Sequence, residues 1–370
     1  MIIGIDASRA LRANRTGTER YSLELINALL DLPSEHRLRL YAPARPQFRL
    51  FREQAELVVL RGQRLWTHTR LGPHTRRHPP DVLFVPSHVL PIIGPPRMAV
   101  TVHDLGYEYF PQAHDWRQRF YLRWSTRRHT RVAACILADS AATKADLIRF
   151  YQADPARVHV VPLALDPAFR REREPGRIAA VRRSYGIPPD APYLLHVGTI
   201  HPRKNLARLV EALAQVRQRP AGRDLMLVLA GGMGFAGKAL LQQVREQGLA
   251  DVVRFIGFAR VHDIPALYSG AACYAFPSLH EGFGFPALEA QACETPLLCA
   301  RTSSLPEVAG EGALYIDPLD VQALAAGLER LLEDSDLRRT LIAAGSANVQ
   351  RFSWQRTAQE TLRLLEMAAA

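Results

Sequence analysis

The sequence predicts an α/β protein built as two open parallel sheets, one in each half of the chain, each covered by helices. Three observations carry that prediction. Short apolar runs alternate with amphipathic helical patterns along the whole chain, the signature of repeated strand–helix units and a parallel sheet. The alternation breaks at a proline-bearing, charged stretch from Pro167 to Pro192 and then starts afresh, as at a domain boundary. At 370 residues the chain is also longer than one hydrophobic core usually serves.

Composition narrows the functional classes. A hydrophobic content of 48% is that of an ordinary globular protein and argues against extensive disorder. No apolar run approaches the roughly 18 residues that cross a bilayer as a helix. MIIGIDASRAL has no basic leader and an early Asp6, so no secretory signal is expected. Cys135, Cys273, Cys293 and Cys299 stand in apolar surroundings without metal-like pairing and read as buried thiols of a cytoplasmic protein. The formal charge of +11 calls for an anionic partner, without choosing among nucleotide, nucleic acid and anionic membrane.

Taken in order, MIIGID is a buried strand ending in an acid. It leads into TERYSLELINALL, a helix with Leu25, Ile26 and Leu29 on one face. Gly17, where loop meets helix, either opens backbone to a ligand or makes a tight turn. RLRLYAP is the second strand. From Phe51 to Pro80 the pattern is irregular and basic, and Trp66, His68, His74 and His78 have no spacing that suits a metal. DVLFVPS and RMAVTVHDL are the next strands. The latter ends on His103 and Asp104, polar residues at the carboxyl edge of a parallel sheet, where ligands of open α/β folds bind. A loop histidine satisfied by backbone is the other reading. The helical pattern from His114 carries Trp116, Phe120 and Trp124, with Tyr121 beside them, among Arg117, Arg119, Arg123, Arg127, Arg128 and Arg131. This stripe reads most simply as core with arginines snorkelling around it; the other reading is a basic amphipathic helix at an anionic membrane. ILADS is a strand from which Ser140 caps the helix AATKADLIRFY, and RVHVVPLALD closes the first sheet.

Two loops of the second half hold chemistry. After the strand YLLHVG, the loop TIHPRKN brings Arg203 and Lys204 between a strand and a helix. A planar fork beside a mobile point charge suits a pyrophosphate, although a solvated basic loop has the same look. After the strand ACYAFPS, the turn carries Glu281, Gly282 and Gly284, and a helix opens near Pro286 with Glu289 one turn inside it. Such a turn offers backbone N–H groups to an anion, and the two carboxylates can accept hydrogen bonds from a polyhydroxylated ligand. Glu289 would favour the helix dipole without any ligand. After LLCA, TSSLPEVAG is a further edge loop. Neither a P-loop nor a glycine fingerprint after the first strand occurs, which argues against P-loop hydrolysis and dinucleotide binding.

Gly198 with PRKN, Glu281 with GFGFPALE, Ser303 and Ser304 with LPEVAG, and His103–Asp104 after an apolar strand together resemble the GT-B glycosyltransferases of family 4. The resemblance runs from Ile3 to FSWQRTAQETLRLL, nearly the whole chain. It implies a GT-B architecture, two Rossmann-like parallel-sheet domains facing an interdomain cleft. Residues 1–168 would form the acceptor-side domain, 169–190 a linker, 191–350 the donor-binding domain, and 351–370 a helix crossing back to the first domain. The resemblance further places Glu281 on the hydroxyls of the donor sugar, Glu289 on the ribose, Arg203 and Lys204 on the donor phosphates, and His103 on the transferred sugar near the reacting carbon. Residues Gly17, Gly198, Thr199, Phe283, Gly284 and Phe285 would surround sugar and pyrophosphate, largely through backbone. Many members carry an arginine where Thr199 stands, which leaves Arg203 as the guanidinium source.

The implied activity is retaining transfer of a hexose, mannose before others, from a nucleoside-diphosphate sugar to a glycan or lipid-linked glycan. GDP-mannose is favoured over UDP- or dTDP-sugars. Fixed positive charge and helix N–H groups suit the negative charge that grows on a departing nucleoside diphosphate. No DxD cluster stands at a strand–loop junction, so metal-independent transfer is expected. No carboxylate is available for the reacting carbon, which favours same-face attack assisted by the leaving phosphate over double displacement. The competing enzyme reading is a sugar-nucleotide epimerase or phosphorylase of the same architecture. Outside enzymes stands an anion- or nucleic-acid-binding protein; the latter needs a contiguous basic track, whereas the specific cations here stand at strand ends.

Overall fold

A computed structural model describes residues 1–12, 17–46, 51, 55–62 and 64–370. The chain divides into two compact units, Met1–Ala164 together with Phe352–Ala370, and Leu165–Arg351. Among the described residues each unit holds one wholly parallel sheet.

In the first unit the strands are β1 (Ile2–Asp6), β2 (Arg37–Ala42), β3 (Glu56–Val59), β4 (Val82–Val85), β5 (Met98–Val102), β6 (Cys135–Ala138) and β7 (Val158–Val160), in the order β3-β2-β1-β4-β5-β6-β7. Strands β4, β5 and β6 are buried along their whole length because helices cover both faces, so each reads as an unbroken apolar run rather than an alternation. The helix Gly17–Asp31 buries Tyr21, Leu25, Ile26 and Leu29. Against it packs the last helix, Trp354–Ala369, which also touches β4, β5 and β6. Ala358, Thr361, Leu364 and Leu365 are its fully buried residues. Thr357 Oγ1 donates to the Pro162 carbonyl at 2.8 Å and Arg97 to the Ala370 carbonyl at 2.9 Å, tying that helix down at both ends. Ser140 caps the helix Ala141–Tyr151 by accepting from Thr143 N at 3.1 Å.

Two expectations for this unit change. Within the stretch that lacks a sequence pattern, Glu56–Val59 forms a strand on the sheet edge; all four residues are half-buried, so neither an alternating nor an all-apolar signal arises. Thr67–Arg77 is helical, π-wound at first and then α, and residues 52–54 and 63 lie outside the described residues. The larger change concerns the helix Trp116–Val132. Its buried residues are Ser125, Thr126, His129 and Thr130, whereas Trp116, Phe120 and Trp124 are 71%, 69% and 41% exposed. The aromatic stripe is therefore not core. The inward face is polar and largely paired: Thr126 Oγ1 meets both His88 Nε2 and the Tyr107 hydroxyl at 2.8 Å, and His129 Nε2 accepts from Leu90 N at 3.1 Å, while His129 Nδ1 is buried without a partner among the described residues. Paired this way, polar groups can be buried at little cost, and periodicity alone cannot announce it.

The second unit contains β8 (Tyr193–Val197), β9 (Met226–Ala230), β10 (Val253–Gly257), β11 (Cys273–Phe276), β12 (Leu297–Ala300) and β13 (Leu314–Ile316), in the order β10-β9-β8-β11-β12-β13. Its core gathers Leu194, Leu227, Val228, Tyr274 and Leu298 from the strands with Leu209, Leu213, Ala287 and Leu328 from the helices. The helix Pro175–Ser184, in the charged stretch between the two alternations, buries Val181 and packs on the helix Ile264–Ser269. All four cysteines are buried and unbridged. Among the described residues no helix is long and apolar enough to cross a membrane.

Candidate functional site

In the second sheet β8 is followed on one side by β9 and β10, and β11 to β13 lie on its other side. Loops after β8 and β11 therefore diverge at the topological switch point, the place where open parallel sheets bind ligands. Both chemically loaded loops stand there. The β8 loop runs through Gly198 into a short 3-10 turn, Pro202–Lys204, and Asn205 at φ 57° opens the helix Leu206–Val216. Asn205 is anchored from inside: its Nδ2 donates to the Pro277 and Pro318 carbonyls at 3.2 and 2.6 Å. A backbone bond from Leu279 N to the Arg203 carbonyl at 2.7 Å joins this loop to the next.

The β11 loop turns at Gly284, whose φ of +109° and lack of a side chain are both required, since a Cβ there would stand 2.8 Å from Leu305 Cδ2. Phe283 is buried and meets Phe285 edge-on at 5.4 Å. The helix Phe285–Ala292 then begins without a side-chain cap, leaving its first N–H groups to other acceptors. The loop after β12 supports this turn from below. Ser303 Oγ accepts from Glu281 N at 2.8 Å, while Ser304 Oγ donates to the Glu281 and Phe283 carbonyls at 2.9 and 2.7 Å.

Arg203, Lys204 and Glu281 converge. Lys204 Nζ donates to Glu281 Oε1 at 2.7 Å, Arg203 Nη1 pairs with Glu281 Oε2, and the same guanidinium reaches the His280 carbonyl at 3.1 Å. The Lys204 and Glu281 side chains are only 8% and 7% exposed, and Arg203 is 26% exposed. Burial pushes the Glu281 carboxyl up, but the charges of Arg203 and then Lys204 outweigh it and bring its pKa down to about 2. Glu289 lies one turn into its helix, buried, and accepts from the Tyr268 hydroxyl at 3.0 Å. Gly198 adjoins Lys204, and Thr199 is exposed beside it.

The first unit holds the other two named residues. Gly17 is the exposed first residue of its helix, and residues 13–16 before it lie outside the described residues. One turn on, Tyr21 meets the His103 ring edge-on at 4.9 Å. His103 Nδ1 pairs with Asp139 Oδ2 at 2.7 Å, both side chains being largely buried. Burial disfavours the imidazolium, but the Asp139 charge prevails and raises the His103 pKa; at Asp139 burial prevails and raises the carboxyl despite the imidazole. Asp104 accepts from Gly106 N at 2.9 Å and shapes the turn after β5.

Residues 15–169 match the model of Glycosyltransferase Family 4, and residues 178–347 match that of Glycosyl transferases group 1. The O-antigen chain mannosyltransferase B of Escherichia coli is 29% identical over 98% of this chain and 99% of its own length. The D-inositol 3-phosphate glycosyltransferase of Kineococcus radiotolerans is 38% identical over 63% of this chain, and the match spans 57% of that protein. Among solved structures, Anabaena HepE in complex with UDP-glucose superposes with a TM-score of 0.76 at 21% identity, over 99% of this chain and 100% of that one. Sucrose-phosphate synthase from Thermosynechococcus elongatus gives 0.75 at 22% identity, over 99% and 98%. The chain belongs to the GT-B glycosyltransferases of family 4. It is accordingly a glycosyltransferase.

Three side chains of this glycosyltransferase escaped the sequence reading. Asp139 directly follows β6 in ILADS, with the same apolar-run-then-acid signal that singled out His103 and Asp104. Tyr268 and His196 had weaker signals, being polar groups inside otherwise apolar segments. Among the described residues no three His, Cys, Asp or Glu side chains gather as a metal-ligating group.

Proposed function

We propose that this glycosyltransferase moves a hexose, mannose in the first instance, with retention of anomeric configuration and without a metal ion, from a nucleoside-diphosphate sugar to a glycan or lipid-linked glycan. The observation that carries the reading is the convergence of Arg203, Lys204 and Glu281 at the switch point of the second sheet. Two cations beside an uncapped helix start suit the pyrophosphate, and they stabilise the charge that develops on it as the sugar–phosphate bond breaks. Glu281, ionised and rigidly held, accepts from sugar hydroxyls, and Glu289 accepts from the ribose. The roles of His103, as hydrogen-bond partner of the transferred sugar, and of Gly17, Gly198, Thr199, Phe283, Gly284 and Phe285, as lining of the donor site, belong to the same proposal. In the reaction the bond from the anomeric carbon to the phosphate oxygen breaks with its electron pair going to the phosphate. The acceptor hydroxyl forms the new bond on the same face and passes its proton to that phosphate oxygen.

Mannose draws support from the similarity, over nearly the whole chain, to a mannosyltransferase. UDP-glucose in HepE points the other way, at an identity that speaks to fold alone. The exposed aromatics of the basic helix Trp116–Val132 support peripheral contact with an anionic membrane, on the cytoplasmic side where nucleotide sugars are made, and hence a lipid-linked acceptor. Transfer from GDP-mannose and, separately, UDP-glucose to an alkyl mannoside in the presence of EDTA tests the proposal, with product configuration read by NMR. The expected product is α-linked from the α-configured GDP-mannose, and the Arg203→Ala/Lys204→Ala double variant should lose at least about a hundredfold in rate. A β-linked product overturns retention. Activity that EDTA abolishes and a divalent ion restores overturns metal independence, and transfer from UDP-glucose alone overturns mannose.

A further inference from the structure

His196 lies on β8, two residues before Gly198, and is wholly buried. Its Nδ1 stands 3.0 Å from the Ala275 carbonyl, and a carbonyl accepts only, so Nδ1 carries the proton and Nε2 presents a lone pair. That Nε2 is buried and has no hydrogen-bond partner among the described residues. A buried acceptor left unmade is costly, and the ring lies parallel to Tyr274 at 6.0 Å with Phe276 tilted against it at 6.4 Å. The Lys204 ammonium is close enough for its charge to act on the ring. A Cβ built on Gly198 would lie 3.7 Å from His196 Nε2, 3.7 Å from Lys204 Nζ and 3.5 Å from Lys204 Cε. The two nitrogens thus border one point, kept open because residue 198 is glycine.

We propose that His196 is a positioning residue for Lys204, its Nε2 accepting a hydrogen bond from the ammonium when that ammonium engages a donor phosphate. The inference rests on the reading of Lys204 as a phosphate ligand. An ammonium has three N–H donors and can serve Glu281, His196 and a phosphate oxygen together. Lysine is a point charge on a flexible stem, so a fixed acceptor behind it determines where the charge is delivered. When Glu281 turns to sugar hydroxyls, His196 keeps the buried ammonium paired. The imidazole must be neutral to accept. Burial first, then the charges of Lys204 and Arg203, hold its pKa down to about 4, against the opposing pull of the Ala275 carbonyl and Glu281.

Calorimetric titration with UDP-glucose and with GDP-mannose tests this on wild type, His196→Phe, His196→Asn, Lys204→Ala and the His196→Phe/Lys204→Ala double variant. The pyrophosphate diester of these probes keeps its charge as the solution is acidified, so a change of affinity belongs to the protein. His196→Phe should weaken binding about tenfold, and His196→Asn, which retains an acceptor, should recover most of that. In the Lys204→Ala background His196→Phe should cost nothing further. Wild-type affinity should fall on acidification toward the His196 pKa of about 4, and His196→Phe should lack that step. Equal cost in both backgrounds, or an unchanged acid profile in His196→Phe, overturns the inference while leaving the phosphate role of Lys204 in place. Tight binding by Lys204→Ala overturns that role and this inference with it.

Discussion

Glu281 shows how three side chains set each other's charge. Its carboxyl is held near a pKa of about 2, below the usual 4.5, because two cations outweigh its burial. A depressed carboxyl contributes stability that is fully present above its unfolded value and is lost as pH falls through the folded one. The shift corresponds to on the order of 3 kcal/mol. Glu281→Gln is expected to lower the melting temperature near neutrality, and the gap to wild type should narrow as the pH drops from about 4.5 to about 2. Scanning calorimetry across that window measures it; a gap that stays constant would mean the pairing contributes no charge-dependent stability. Arg203, Lys204 and Glu281 were legible in the sequence because each stands in the loop that follows an apolar strand. That they pair with one another was not, since their loops are more than seventy residues apart and strand order joins them.

Among the elements, the helix Trp116–Val132 departs furthest from its pattern. Periodicity places Trp116, Phe120 and Trp124 on one face, but the choice of which face turns inward belongs to the partners on the sheet. Here Thr126 and His129 find partners in the loops after β4 and β5, so the polar face goes in and the aromatics stay out. Aromatic rings amid arginines suit the interface of an anionic bilayer. Full-length protein is expected to co-float with phosphatidylglycerol vesicles and not with phosphatidylcholine vesicles, with an affinity that falls as salt rises. Replacing Trp116, Phe120 and Trp124 by serine should weaken vesicle binding at least about tenfold, without lowering the melting temperature, because none of the three is core. Unchanged flotation would remove the membrane reading; a large loss of stability would restore the core one.

At the scale of the molecule, the first unit is closed by a segment from the far end of the chain. The helix Trp354–Ala369 buries Leu364 and Leu365 completely, worth roughly 3–6 kcal/mol together. Deleting residues 352–370 should therefore lower the unfolding transition of the first unit by several degrees or abolish it. The Leu165–Arg351 unit, which keeps its own core, should melt as before. Calorimetry with and without a sugar nucleotide separates the two, since ligand should raise only the transition of the unit that binds it. If both units collapse together on truncation, their stabilities are not independent.

Strand and helix identity, the restart at the second sheet and the loops that carry chemistry were all present in the order of residues, because burial between two helix layers writes each strand as an apolar run and ends it on a polar edge. Which edges become neighbours, which helix face turns inward, and which acceptor stands behind Lys204 were settled by strand order and packing. Those contacts join residues far apart in the chain, and their favourable energy depends on partners that no local window contains.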